Sequence, residues 1–319
     1  MFKALFRPLL HAINFKKITK LAENGDIDAQ NKLGKMYHFG SYVEQDYEKA
    51  VDWYSKAAAQ GDGDSQVVLG EMYEYGQGVS QDNKKAFFWY EKAAKKGNAF
   101  AQNCLGWMYE KGNGIQQDYA QAVSWYTKAA QQGDVDAQYN LGMMYNLGHG
   151  VLKNHREAFK WFNEAAQQEY PPAQASLGAL YFEGLGIPLN ENMALTLYEK
   201  AASNGFAPAQ TYLGTLCEEK NEIVEAMTWY CKAAQQGEAS ALTNLGLMYG
   251  LGQNVFKNEL IAYALLEMAV MSGNETALDI RKTIAKSLTP SKMDEAKALA
   301  QDPEKLWELI DSRQNLKQK

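Results

Sequence analysis

Residues 101–134 read AQNCLGWMYEKGNGIQQDYAQAVSWYTKAAQQGD. Counted from Leu105, Ala101 stands four residues before and Met108 and Tyr109 three and four after, the spacing that puts apolar side chains on one face of a helix. A second face of the same kind begins at Ala122 and continues through Trp125, Tyr126, Ala129 and Ala130. Between the two stands Gly112-Asn113-Gly114-Ile115, where glycines permit a tight reversal and the Ile can plug the loop into the core. After the second face comes Gly133-Asp134. A glycine suits the left-handed residue that ends a helix, and an Asp suits the N-cap of the next. The stretch predicts two helices, a tight loop, and the start of a third helix.

The same reading holds along most of the chain. The Leu-Gly pair recurs at Leu33-Gly34, Leu69-Gly70, Leu105-Gly106, Leu141-Gly142, Leu177-Gly178, Leu213-Gly214 and Leu245-Gly246. The first five intervals are each 36 residues and the last is 32. The second face recurs as AVDWYSKAA from Ala50, AFFWYEKAA from Ala86, AFKWFNEAA from Ala158, ALTLYEKAA from Ala194, AMTWYCKAA from Ala226 and AYALLEMAV from Ala262. A fixed period of this length is the signature of a stacked array. The sixth unit, LGTLCEEKNEIVEAMTWY, lacks the Gly-x-Gly loop, so its helices must join by a shorter turn.

The pattern Ala-x-x-x-Leu-Gly-x-Met-Tyr-x-x-Gly-x-Gly-Val, then Ala-x-x-Trp-Tyr-x-Lys-Ala-Ala-x-x-Gly, resembles the Sel1-like repeat, a relative of the tetratricopeptide repeat with a longer inter-helix loop. The resemblance implies an all-α, right-handed superhelical solenoid of antiparallel helix pairs. It also implies a non-enzymatic scaffold or adaptor, since members of the family scaffold signalling complexes, assist protein turnover, or mediate bacterial contacts with other proteins. Some bacterial members are immunity proteins, so a dedicated inhibitor of one cognate protein is the alternative. The expected organisation is an N-terminal segment and capping helix over 1–24, seven repeats over 25–274, and C-terminal capping helices with a tail over 275–319. The repeats begin at about 25, 61, 97, 133, 169, 205 and 237, counted from the period.

Composition narrows the function. Hydrophobic residues make up 46% and charged residues 22%, which describes a folded chain rather than a disordered one. The formal charge is −6, yet the first 22 residues carry five basic groups and no acid, so the remainder stands at −11. That argues against the basic face expected for nucleic acid and favours a basic partner. No apolar run is long enough to span a membrane. Arg7 and Pro8 interrupt the apolar run of the N-terminus and no small-residue cleavage site follows, so a bacterial, cytoplasmic location is expected over a periplasmic or secreted one. Residues 1–7 leave peripheral membrane contact open. Cys104, Cys217 and Cys231 form no CxxC pair, and His11, His38, His149 and His155 form no HExxH motif, so no metal, cofactor or catalytic site is expected.

Specificity should lie where the period does not dictate the residue. With Leu of Leu-Gly at 0° and about 100° per residue, positions −2, +2 and +5 lie roughly opposite the buried stripe. First helices line the concave surface of such arrays. On that face the middle repeats carry Asn103, Trp107, Tyr139, Met143, Asn146 and Phe182, with Glu71, Glu74 and Glu110 at the edges. Aromatic and Met anchors ringed by charge are what a protein-binding hot spot needs. The expected partner of a monomeric chain is a protein or peptide with basic residues.

Overall fold

In the computed structural model, residues 15–252 and 256–311 are described. The expectations for residues 1–7 and for the start of the N-terminal cap fall outside them. Among the described residues all regular structure is helical.

The punctuation read from the sequence sets the helix ends. Asp26, Asp62, Asn98 and Asp134 each take N-cap positions and accept a hydrogen bond from the backbone N–H three residues on, at 2.8 Å in every case. Such a cap satisfies a donor that the helix leaves unpaired. Where Pro171-Pro172 or Pro208 replaces the capping pattern, proline stands in the first turn and no side-chain cap forms. The loop glycines Gly76, Gly112, Gly148 and Gly184 end the first helices in the left-handed conformation. Gly78 has a second reason to be glycine: a Cβ there would collide with the carbonyl of Tyr47, in the preceding repeat.

The chain forms two compact units, residues 1–165 and 166–319, each described by itself. In the first, residues 15–23 are helical (α1), followed by the pairs α2 (Ile27–Phe39) and α3 (Tyr47–Ala59), α4 (Gly63–Tyr75) and α5 (Asn83–Lys95), α6 (Ala99–Lys111) and α7 (Tyr119–Gln131), and α8 (Val135–Leu147) and α9 (His155–Gln167). The second unit holds α10 (Pro171–Glu183) and α11 (Glu191–Ser203), α12 (Ala207–Glu219) and α13 (Ile223–Gln235), and α14 (Ala239–Leu251) and α15 (Glu259–Met271). Then come α16 (Glu275–Ala285), α17 (Pro290–Gln301) and α18 (Pro303–Asp311). The shortened sixth turn is real: only residues 220–222 join α12 to α13, with Asn221 at φ 61°. The interior of that pair is unchanged, since Tyr230 is still fully buried against Gly214.

Five of the seven repeat pairs close on a fully buried aromatic ring. Tyr54, Tyr90, Tyr126, Phe162 and Tyr230 are fully buried in the second helices and press against Gly34, Gly70, Gly106, Gly142 and Gly214 of the first. A Cβ on Gly106 would stand 2.5 Å from the Tyr126 ring, so the Leu-Gly glycine is a contact surface for that ring. Neighbouring repeats are joined by tryptophan. Trp89 packs against the core around Tyr54, Trp125 against that around Tyr90, and Trp161 against that around Tyr126. Lys56 and Lys128 cover Trp53 and Trp125 at 3.9 and 3.8 Å from the ring centroids, which lets a half-buried ring face water under a cation.

A buried glutamine adds a second joint. Gln30, Gln66, Gln102, Gln138 and Gln210 donate through Nε2 to the carbonyls of Ala22, Ala58, Ala94, Ala130 and Ala202, each near the end of the preceding second helix. Each of these carbonyls also accepts from the N–H of the glycine three residues on, so the glutamine is its second donor. Sequence reading missed them, because a glutamine beside the apolar stripe reads as a boundary residue.

Candidate functional site

The face opposite the buried stripe of α4, α6 and α8 carries most of the expected site residues. Trp107 of α6 is 36% exposed and is not part of the hydrophobic core around Tyr90. One residue missed from the sequence joins it: Phe100, two helical turns before Trp107 on the same face of α6, is 43% exposed. Tyr75, at the end of α4, is 68% exposed. The positional signal for Phe100 and Tyr75 was present. They stand five residues before and six after the Leu of Leu-Gly, at roughly 220° and 240°, just outside the arc searched.

The other expected residues divide by what they touch. Tyr139 is half-buried, with its ring 5.8 Å from that of Phe162, so it contributes to packing. Met143 is half-buried beside it in sequence on α8. Asn103 accepts a hydrogen bond from Asn140 Nδ2 at 3.1 Å and thereby ties α6 to α8. Asn146 Oδ1 lies 2.9 Å from His155 Nδ1. Phe182 belongs to the second unit, where it is 46% exposed and edge-on to Tyr212, which stacks on Tyr198 at 4.0 Å.

The acids are the main correction. Glu74 accepts from Tyr90 Oη at 2.8 Å, Glu110 from Tyr126 Oη at 2.9 Å, and Glu218 from Tyr230 Oη at 2.9 Å. They are the polar partners of rings buried in the same repeat. In two other repeats the residue at this position changes along with the ring. Where Phe162 brings no hydroxyl, the position holds Asn146, and where Leu266 stands, it holds Gly250. Glu71 has no such partner. Burial, and then the charge of Glu74, push its carboxyl above the ordinary range. Burial, followed by the charges of Glu74 and Glu71, also pushes the Cys104 thiol up. A thiol held protonated is a poor nucleophile.

No group of three or more His, Cys, Asp or Glu side chains arranged to hold a metal occurs among the described residues. Cys104, Cys217 and Cys231 are not joined in disulfides. No described helix is long and apolar enough to cross a membrane.

An array of helix pairs, most of them closed by an aromatic ring against a Leu-Gly glycine, defines an all-α repeat protein of the solenoid class. The Sel1 repeat matches the chain seven times in succession, at residues 27–62, 63–98, 99–134, 135–170, 171–206, 207–238 and 239–274, and the chain belongs to that family. Sel1 repeats generally serve as protein-interaction scaffolds. Among solved structures, the chain is similar to a Sel1 repeat protein from Oxalobacter formigenes at 35% identity and TM-score 0.70, covering 85% of this chain and 79% of that one. It is also similar to a protective antigen of uropathogenic Escherichia coli at 32% identity and TM-score 0.69. That match covers 90% of this chain, which spans 63% of the antigen's length. No curated protein matches the chain by sequence.

Proposed function

We propose that this chain is a non-enzymatic protein-interaction scaffold that holds a segment of a partner protein on the first-helix face of α4, α6 and α8. The supporting observation is the pair Phe100 and Trp107. Two large aromatic side chains share one face of α6, are 43% and 36% exposed, and take no part in closing the repeat. Exposed aromatic anchors at the centre of a face are the residues that carry most of an interface's energy. Glu71 and the exposed Tyr75 extend the same surface on α4. The reading places the protein as a monomer in a reducing, bacterial cytoplasm. It takes residues 1–24 and 275–319 as the ends of the array rather than as separate functional modules.

The structure changes which substitutions test this. Tyr139→Ala would leave a gap against Phe162, so a binding loss could reflect damage to the fold. Phe100→Ala combined with Trp107→Ala removes only exposed rings. The wild-type protein and this double variant are compared as baits for proteins from the source cell, with circular dichroism confirming equal helix content. The expected result is a specific partner captured by the wild type and lost from the variant by tenfold or more. Equal capture by both would overturn the reading. One partner held in a 1:1 complex would mark a dedicated inhibitor, and several partners an adaptor.

A further inference from the structure

A full inter-helix loop also covers its neighbour. A Cβ on Gly78, Gly114 or Gly150 would strike the carbonyl of Tyr47, Asn83 or Tyr119. Those three are the first residues of α3, α5 and α7, and all are half-buried. Each loop therefore packs on the start of the second helix one repeat before it. In the sixth repeat this cover is missing. Residues 220–222 hold no glycine, and they stand where 184–190 stand in the repeat before. The helix that loses its cover is α11, and its first residue, Glu191, is exposed.

A helix start laid open in this way should meet water with polar side chains. Here the sequence does the reverse. Leu189 stands five residues after Gly184, where Gln45, Gln81, Gln117 and Lys153 follow Gly40, Gly76, Gly112 and Gly148. It is 59% exposed. Met193, the third residue of α11, takes the place of Lys49, Lys85, Gln121 and Glu157 and is 42% exposed. Beyond the short turn, Val224 of α13 takes the place of Glu48, Lys84, Ala120 and Arg156 and is exposed as well. Large apolar side chains have entered the surface where the loop is short. Apolar surface that the fold does not need marks a place where another molecule binds.

The charges at this place have one sign. Residues 219–225 hold Glu219, Glu222 and Glu225 against the single base Lys220, and Glu191 opens α11. None of these four acids makes an ion pair among the described residues. We propose that the gap left by the short α12–α13 turn is a second docking surface. A segment of a partner protein seats an apolar side chain against Leu189, Met193 and Val224 and turns its basic residues toward the acids. An apolar anchor inside a charged rim supplies affinity from the first and specificity from the second. The same acids repel an anionic lipid surface, and they repel a second copy that sets this patch against itself. The surface belongs to the second unit and shares no residue with the face of α4, α6 and α8, so it goes beyond the scaffold reading.

The test selects a displayed library of random dodecapeptides on the wild-type protein and measures synthetic copies of the enriched peptides by fluorescence polarisation. Two variants are compared. Leu189→Gln with Met193→Lys installs the residues found at Gln81 and Lys85, and both sites are exposed, so helix content and melting temperature should hold. Replacing 220–222 by the loop sequence of residues 112–118 rebuilds the cover in register. The enriched peptides should combine a large apolar residue with Lys or Arg and should bind both variants at least tenfold more weakly than the wild type. If the loop variant does not fold, the surface variant decides alone. The proposal is overturned if no peptide is enriched, if the enriched peptides lack basic residues, or if the surface variant binds them within twofold of the wild type. Peptides lost only from Phe100→Ala with Trp107→Ala would overturn it too, while supporting the first-helix face. Self-association of the wild type in sedimentation, abolished in the surface variant, would assign the patch to a second copy and overturn the partner reading.

Discussion

At the scale of single residues, the Leu-Gly pair divides two jobs between adjacent positions. Leu105 fills the core and is fully buried. Gly106 contributes no volume and instead lets the Tyr126 ring lie on its Cα. Gly106→Ala therefore forces a close-packed ring to move, and overpacking of this kind costs about 1–3 kcal/mol. Urea unfolding should show that loss. Gly63, in the first turn of α4, is the matched control, since a Cβ there meets nothing within 4 Å. Its replacement by Ala should be neutral or stabilise by about 0.4–1 kcal/mol through the unfolded chain. Equal effects at the two sites would remove the steric account of the Leu-Gly motif. The glycine was legible in the sequence as a place of close approach. The ring that makes the approach was not, because it comes from another helix some 20 residues away.

At the scale of elements, the joints between helices show why some units of the period are better completed than others. Gln60, at the end of α3, donates to both Gly25 O at 3.1 Å and Gln30 Oε1 at 2.8 Å. Gln132 and Gln236 give Gln102 and Gln210 the same support at 2.8 and 2.9 Å. At the end of α5 the residue is Lys96, which reaches Gly61 O at 2.6 Å and leaves Gln66 Oε1 buried without a partner. Gln174 is left the same way in the repeat that ends in Asn204. Lys96→Gln should keep the bond to Gly61 and supply the missing donor. A buried acceptor left unmet costs about 1–3 kcal/mol, so a gain of roughly 1 kcal/mol in thermal or urea unfolding is the expected outcome. No gain would show that the buried glutamine is already satisfied in solution.

At the scale of the molecule, the array has to stop without leaving an apolar face open to water. The second helices of the first unit bury one stripe each, but α15 buries Ile261, Ala262, Tyr263, Ala264, Leu265, Leu266 and Ala269, nearly its whole circumference. Helices α16, α17 and α18 provide that cover, with Leu299, Leu306 and Ile310 in the same core and Arg281 paired with Glu267 across it. Leu306 is fully buried. Leu306→Ala should cost about 2–5 kcal/mol, the range for truncating a packed leucine. Because repeats lean chiefly on their neighbours, amide exchange should quicken first in α15–α18 while α4–α6 keep their protection. Uniform loss of protection along the chain would instead mark the array as one cooperative block.

The sequence by itself determined the repeat: its period, its helix ends, its family and the shortened sixth turn. These follow from local rules, since apolar spacing, caps and left-handed glycines depend on residues only a few positions apart. It also marked the first-helix face as the variable one and Trp107 as exposed on it. Only the tertiary structure decided what the polar residues of that face are for. Glu74, Glu110 and Glu218 answer tyrosine hydroxyls from the neighbouring helix, Asn103 ties two repeats together, and Tyr139 packs on Phe162. Their partners lie 12 to 37 residues away in sequence, beyond the reach of any helical period. Once those pairings are known, the large exposed side chains left over on α6 are Phe100 and Trp107, the pair on which the proposed docking rests.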